Sequence, residues 1–122
     1  MKRSILVADD EPNIVLSIEF LLTQAGYDVH VATRGDEALQ ALYAVRPHLV
    51  LLDLMLPLVN GFDICQRLRS DPQLGAIKIV VLTAKGRASE IQKGLALGAD
   101  AYVTKPFGTR ELMATVRTLL DS

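Results

Sequence analysis

The run His48-Leu49-Val50-Leu51-Leu52-Asp53 decides the fold, because it sets four large aliphatic side chains in succession and closes them with a single carboxylate. Four apolar residues without polar alternation suit a strand covered on both faces, the situation at the centre of a parallel sheet. Asp53 then stands at the carboxyl end of that strand, the edge where ligands and chemistry gather in open α/β sheets. An aspartate opening a loop is ordinary by itself. Its meaning depends on what the other strand ends carry.

Around this run the chain has 122 residues, half of them hydrophobic and 5% aromatic, which fits one domain spanning 1–122 with a core of ordinary size. Thirteen basic and fourteen acidic side chains leave a formal charge of −1, so no general attraction to nucleic acid or to an anionic membrane is expected. Cys65 is the only cysteine, which excludes an internal disulfide and fits a small packing residue in a reducing compartment. No apolar run reaches the roughly 18–20 residues that span a bilayer, and Met1-Lys2-Arg3 leads straight into a strand without a signal-peptide pattern. A cytoplasmic protein without membrane contact is the expectation.

Upstream of the central strand, Ser4 to Ala8 form a short apolar strand that stops at Asp9-Asp10-Glu11-Pro12. Pro12 suits the first turn of a helix, and the acids before it favour the positive end of the helix dipole. Ile14, Val15, Ile18, Leu21, Leu22 and Ala25 continue as one helical stripe, with Gly26 suited to a left-handed cap. Tyr27 to Ala32 alternate, which predicts an edge strand with His30 solvated and without a metal role. A second amphipathic helix covers Asp36 to Val45 and closes at Arg46-Pro47.

Downstream, Leu54 to Asn60 read as a loop, Gly61 to Arg69 as a helix, and Ser70 to Gly75 as a connection. Ile77 to Leu82 read as a strand ending on Thr83. Ala88 to Leu97 form a weaker helix, since Gly94 lowers its propensity, and weak elements are candidates for movement. A last strand covers Ala101 to Thr104, Lys105-Pro106 breaks it, and Arg110 to Leu120 make the final helix. Five strands alternate with five helices. Right-handed crossovers then give an α/β, doubly wound, five-stranded parallel sheet of order 2-1-3-4-5, a flavodoxin-like (βα)5 arrangement with its switch point between the first and third strands.

That topology gathers Asp9 and Asp10, Asp53, Thr83 and Lys105 at one sheet edge. Three crowded carboxylates raise one another's pKa unless cations sit among them. Lys105 supplies one charge, and an oxygen donor set without His or Cys favours a hard divalent ion, Mg²⁺, completed by waters and a phosphate oxygen. Asp53 is the candidate to carry a phosphoryl group as an aspartyl phosphate, with Lys105 and Thr83 bonding its oxygens. No residue is aimed at water as a strong general base, so capture of the group is favoured over turnover. Lys85, two residues beyond Thr83, is expected to border the mouth of this site.

The segments ILVADDEPNI (5–14), LVLLDLMLPLVNGFDIC (49–65), IVVLTAKG (79–86) and LGADAYVTKPFGTREL (97–112) closely resemble those of the receiver domains of two-component response regulators, in order and over nearly the whole chain. The resemblance implies a phosphorylation-dependent signalling switch that is not an enzyme in its own right. Asp53 would accept phosphate from a sensor histidine kinase or a histidine phosphotransfer protein. Asp10, Asp53 and the backbone carbonyl of Met55 would bind Mg²⁺, with Asp9 completing the acidic pocket indirectly. Thr83 and Tyr102 would be the switch pair, Lys105 the phosphate-contacting lysine, and Lys105-Pro106 a cis bond. Phosphorylation would alter the face built from the fourth helix, fifth strand and fifth helix for a downstream effector protein or domain, without direct nucleic acid binding by this domain.

One subset of the family, with winged-helix DNA-binding domains, pairs charges across that face. Here Ile91, Ala101 and Thr115 stand where charged residues are common, so the chain is expected to fall outside the subset and not to form its charge-paired dimer. Two other readings share the general fold. A flavodoxin-like mononucleotide binder needs a Gly/Ser/Thr-rich loop after the first strand, the opposite of Asp9-Asp10-Glu11. An aspartate-nucleophile phosphatase would carry its acids two residues apart on that strand, whereas these are adjacent.

Overall fold

In the computed structural model, which describes residues 2–84, 92, 95, 96 and 98–121, Leu49–Asp53 forms the middle strand of a five-stranded sheet and every residue of it is buried. The strands are β1 (Ser4–Ala8), β2 (Asp28–Ala32), β3 (Leu49–Asp53), β4 (Lys78–Ala84) and β5 (Ala101–Lys105), all parallel, in the order β2-β1-β3-β4-β5. Helices α1 (Pro12–Gln24), α2 (Gly35–Val45) and α3 (Gly61–Ser70), with a C-terminal helix over Thr109–Asp121, cover the two faces.

Successive strand side chains point to opposite faces, so β3 serves two cores at once. Val50 and Leu52 join Leu6, Ile79 and Val81 against Ala38 and Leu42 of α2 and Ile64, Cys65 and Leu68 of α3. Leu49 and Leu51 join Ile5, Val7, Val80 and Leu82 against Ile18 and Leu22 of α1 and Leu112, Val116 and Leu120 of the C-terminal helix. The four aliphatics of β3 are fully buried, each contributing roughly 1.5–3 kcal/mol of transfer free energy. Covering both faces requires the uninterrupted run that the sequence carries. Edge strand β2, by contrast, keeps Asp28 and Val31 exposed, and His30 Nε2 lies 3.3 Å from Asp28 Oδ2.

Boundaries differ from the sequence reading where pairing or turns override pattern. His48 lies outside β3, and its Nδ1 accepts the Ser4 N–H at 3.0 Å. Tyr27 lies outside β2 because its N–H closes the end of α1 on Leu22 O at 3.0 Å. Strand β4 begins at Lys78 rather than Ile77 and runs on to Ala84, and β5 runs to Lys105. Their ladder continues through Thr83 opposite Thr104 and Ala84 opposite Lys105. Thr83 is thus inside a strand.

Gly26 has φ of +97°, as expected for the residue closing α1, and Lys105-Pro106 is cis. Asn60 caps α3 by accepting the Asp63 N–H at 3.0 Å. Of the helix expected over 88–97, only Gln92, Leu95 and Ala96 fall among the described residues, and they are helical. Lys85, Ile91 and Gly94 lie outside them. Among the described residues no helix is long and apolar enough to cross a membrane.

Candidate functional site

Register aligns the strand ends. Ala8 pairs with Leu52 and Asp53 with Leu82, so Asp9 and Asp10, leaving β1, come level with the carboxylate that closes β3. The Asp9 N–H extends the ladder onto Ala32 O at 3.1 Å, which keeps its side chain within the sheet edge. Asp9, Asp10 and Asp53 each offer an oxygen, and these oxygens lie within 4.8 Å of one another. Asp9 is fully buried, Asp53 is 7% exposed, and Asp10 is open to solvent.

Lys105, delivered by the end of β5, holds this charge together. Its Nζ lies 2.6 Å from Asp9 Oδ2, 3.1 Å from Glu11 Oε1 and 3.4 Å from Asp53 Oδ2. Burial works to depress the Lys105 pKa, but the bond to Asp9 and the charges of Asp53 and Glu11 outweigh it and hold the ammonium above its usual value. Burial pushes the Asp9 carboxyl up from its ordinary value, against the opposing bonds from Lys105 and the Glu11 N–H. The remaining Asp53 oxygen, Oδ1, accepts the Met55 N–H at 2.9 Å.

Thr83, level with Thr104 on the neighbouring strand, is 3% exposed, and its Oγ1 has no hydrogen-bond partner among the described residues. A buried hydroxyl without a partner costs roughly 1–3 kcal/mol. Asp10, Glu11, Asp53, Met55, Thr83 and Lys105 line one cleft of about 310 Å³. Among the described residues four carboxylates share this edge with one ammonium, so a divalent cation fits the charge, and oxygen donors alone fit a hard ion.

Each site residue expected from the strand ends is therefore found there. Tyr102 sits on β5 opposite Val81, two positions from the Thr83–Thr104 pair, and the residue is 46% exposed. Glu11 was not among the expected site residues. It occupies the N-cap position of α1 but makes no side-chain cap bond there; Asp9 Oδ1 accepts the Glu11 N–H at 2.9 Å, and the Glu11 side chain reaches Lys105 instead. Its membership of the acidic run was the only signal in sequence. Cys65 is buried in the core, which pushes its thiol up to about 11.

Comparison with known proteins gives the family. The model of the response regulator receiver domain matches residues 5–117. The chain is 46% identical over 120 residues to the DNA-binding response regulator MtrA of Mycolicibacterium smegmatis, covering 98% of this chain and 51% of that protein. It is 44% identical to the phosphate regulon transcriptional regulatory protein PhoB of Rhizobium meliloti, covering 98% and 53%. Among solved structures, the chemotaxis response regulator CheY4 of Vibrio cholerae superposes with a TM-score of 0.90 at 28% identity, over 98% of this chain and 99% of that one.

The chain thus spans about half the length of the curated relatives it matches. MtrA is by name a DNA-binding regulator and PhoB a transcriptional regulatory protein. The chain belongs to the response regulator receiver domains of two-component systems, a signalling rather than a catalytic domain, with Asp9, Asp10 and Asp53 as its acidic pocket.

Proposed function

We propose that this domain is a phosphorylation-dependent switch in which Asp53 accepts a phosphoryl group from the phosphohistidine of a sensor kinase or phosphotransfer protein. The observation that carries this reading is convergence: Asp53, the Lys105 ammonium and the Thr83 hydroxyl, which has no partner among the described residues, all line one cleft. An Asp53 carboxylate oxygen forms the new O–P bond as the donor's P–N bond breaks. The electron pair returns to the imidazole, whose other nitrogen carries the proton of the neutral leaving ring. Asp53 needs no general base, because the carboxylate is itself the nucleophile.

Asp10, Asp53 and the Met55 carbonyl are the groups suited to hold Mg²⁺, with Asp9 supporting them from its buried position. When bound, the ion neutralises charge on the transferring oxygens. Lys105 supplies a second positive charge, and Thr83 donates to a phosphoryl oxygen. Drawing Thr83 toward the phosphate repacks the β4–β5 edge and lets the exposed Tyr102 ring turn inward, a population shift that changes the surface offered to an effector protein or domain. The near-neutral chain itself is not suited to grip nucleic acid.

Incubation with a small phosphodonor and Mg²⁺, followed by intact mass, tests this. One phosphoryl group is expected on the native chain and none on Asp53→Ala. Labelling of Asp53→Ala, or full labelling with divalent ions chelated, would overturn the assignment.

A further inference from the structure

Among the described residues the Lys105 ammonium hydrogen-bonds Glu11 and Asp53 and pairs ionically with Asp9, so three carboxylates already engage it before any phosphoryl group arrives. To bond a phosphoryl oxygen on Asp53 it must release one of them, and the three differ in what release costs. The Asp9 contact is the shortest at 2.6 Å, between a fully buried carboxylate and a lysine side chain only 12% exposed. Breaking it would strand a buried charge, which is strongly unfavourable. The Asp53 contact joins the ammonium to the acceptor itself. Glu11 is different: its side chain is 59% exposed, so its carboxylate returns to water when Lys105 lets go.

From this we propose that Glu11 is a positioning residue: in the resting state it holds Lys105 through the bond that a phosphoryl oxygen later takes, and so sets the ease of phosphorylation. The inference rests on Asp53 being the acceptor. Its geometry is specific. The Glu11 backbone is fixed independently, its N–H donating to Asp9 Oδ1 at 2.9 Å and its carbonyl accepting the Val15 N–H at 3.0 Å. Changing the side chain therefore leaves the start of α1 and the Asp9 carboxylate in place.

Two variants separate the contact from the charge. Glu11→Met removes both, whereas Glu11→Asp keeps the charge but is one methylene too short for the 3.1 Å contact. With a small phosphodonor at saturating Mg²⁺, Glu11→Met is expected to label about two- to five-fold faster than the native chain, the range set by a partly exposed ion pair. Glu11→Asp is expected to match Glu11→Met rather than the native chain. In the metal-free, unphosphorylated protein, the Lys105 ammonium resonance is expected to move in both variants while amide shifts in the core stay fixed. A Glu11→Met rate equal to native, or Glu11→Asp behaving as native with an unmoved Lys105 resonance, would overturn the proposal. Absence of labelling in the native chain would instead overturn the assignment of Asp53, and the two failures are read from different samples.

Discussion

Arg69, at the end of α3, ties down the segment that leads into β5, and replacing it by Met tests how much of the domain's stability rests there. Its Nε donates to Gly98 O at 2.8 Å, Nη1 to Ile77 O at 2.9 Å and Gly75 O at 3.2 Å, and Nη2 to Asp100 Oδ2 at 2.7 Å. The bonds to Gly98 and Ile77 are partly buried, at roughly 1–1.5 kcal/mol each. The Gly75 and Asp100 bonds are more exposed and add only a few tenths each. Met keeps the apolar stem that packs on Gly98, where even a Cβ would lie 2.6 Å from the Arg69 Cγ. The expected loss for Arg69→Met is about 2–3 kcal/mol, read as a drop in ΔG of unfolding in urea. Asp100→Asn should cost under about 1 kcal/mol, because its side-chain oxygen still accepts the Ile79 N–H at 2.8 Å. Arg69→Met within about 0.5 kcal/mol of native, or Asp100→Asn as damaging as Arg69→Met, would refute this account of the clamp.

Gly61→Ala should destabilise by at least about 2 kcal/mol in the same assay, since its Cβ would lie 2.5 Å from Leu54 Cα and 2.8 Å from Asp53 O, both backbone atoms. In alkali, stability should fall from about pH 9 upward. Burial raises Cys65 from 9.0 to about 11 and the surrounding carboxylates raise Lys105 above 10.5, so the unfolded chain releases both protons first. A urea midpoint that is flat from pH 8 to 11 would contradict it. A phosphoryl mimic with Mg²⁺ should shift the amides of Thr83, Tyr102 and their β4–β5 neighbours. Shifts confined to residues next to Asp53 would count against the switch.

The unbroken run Leu49–Leu52 and the alternating edge strand Asp28–Ala32 made the sheet order legible, because burial on two faces, on one, or on neither leaves a period in the residues themselves. The site was legible for a related reason. Parallel pairing guarantees that residues just past each strand meet at one edge, so Asp9, Asp10, Asp53, Thr83 and Lys105 could be collected without coordinates. Strand ends were not. Thr83 and Lys105 lie within the β4–β5 ladder, since hydrogen bonding to a neighbour carries a strand beyond its apolar pattern.

Partnership between side chains far apart in sequence lay beyond pattern altogether. Glu11 reads as one more acid before a helix, and only the approach of Lys105, 94 residues later, turns it into a neighbour of the acceptor. Asp100 carries no periodic signal, yet its carboxylate accepts from both Arg69 and the Ile79 N–H. Periodicity and strand-end chemistry are local properties that one sequence determines. Which of three carboxylates an ammonium bonds, and how deeply each is buried, depends on distances of a few ångströms between elements, and packing alone decides those.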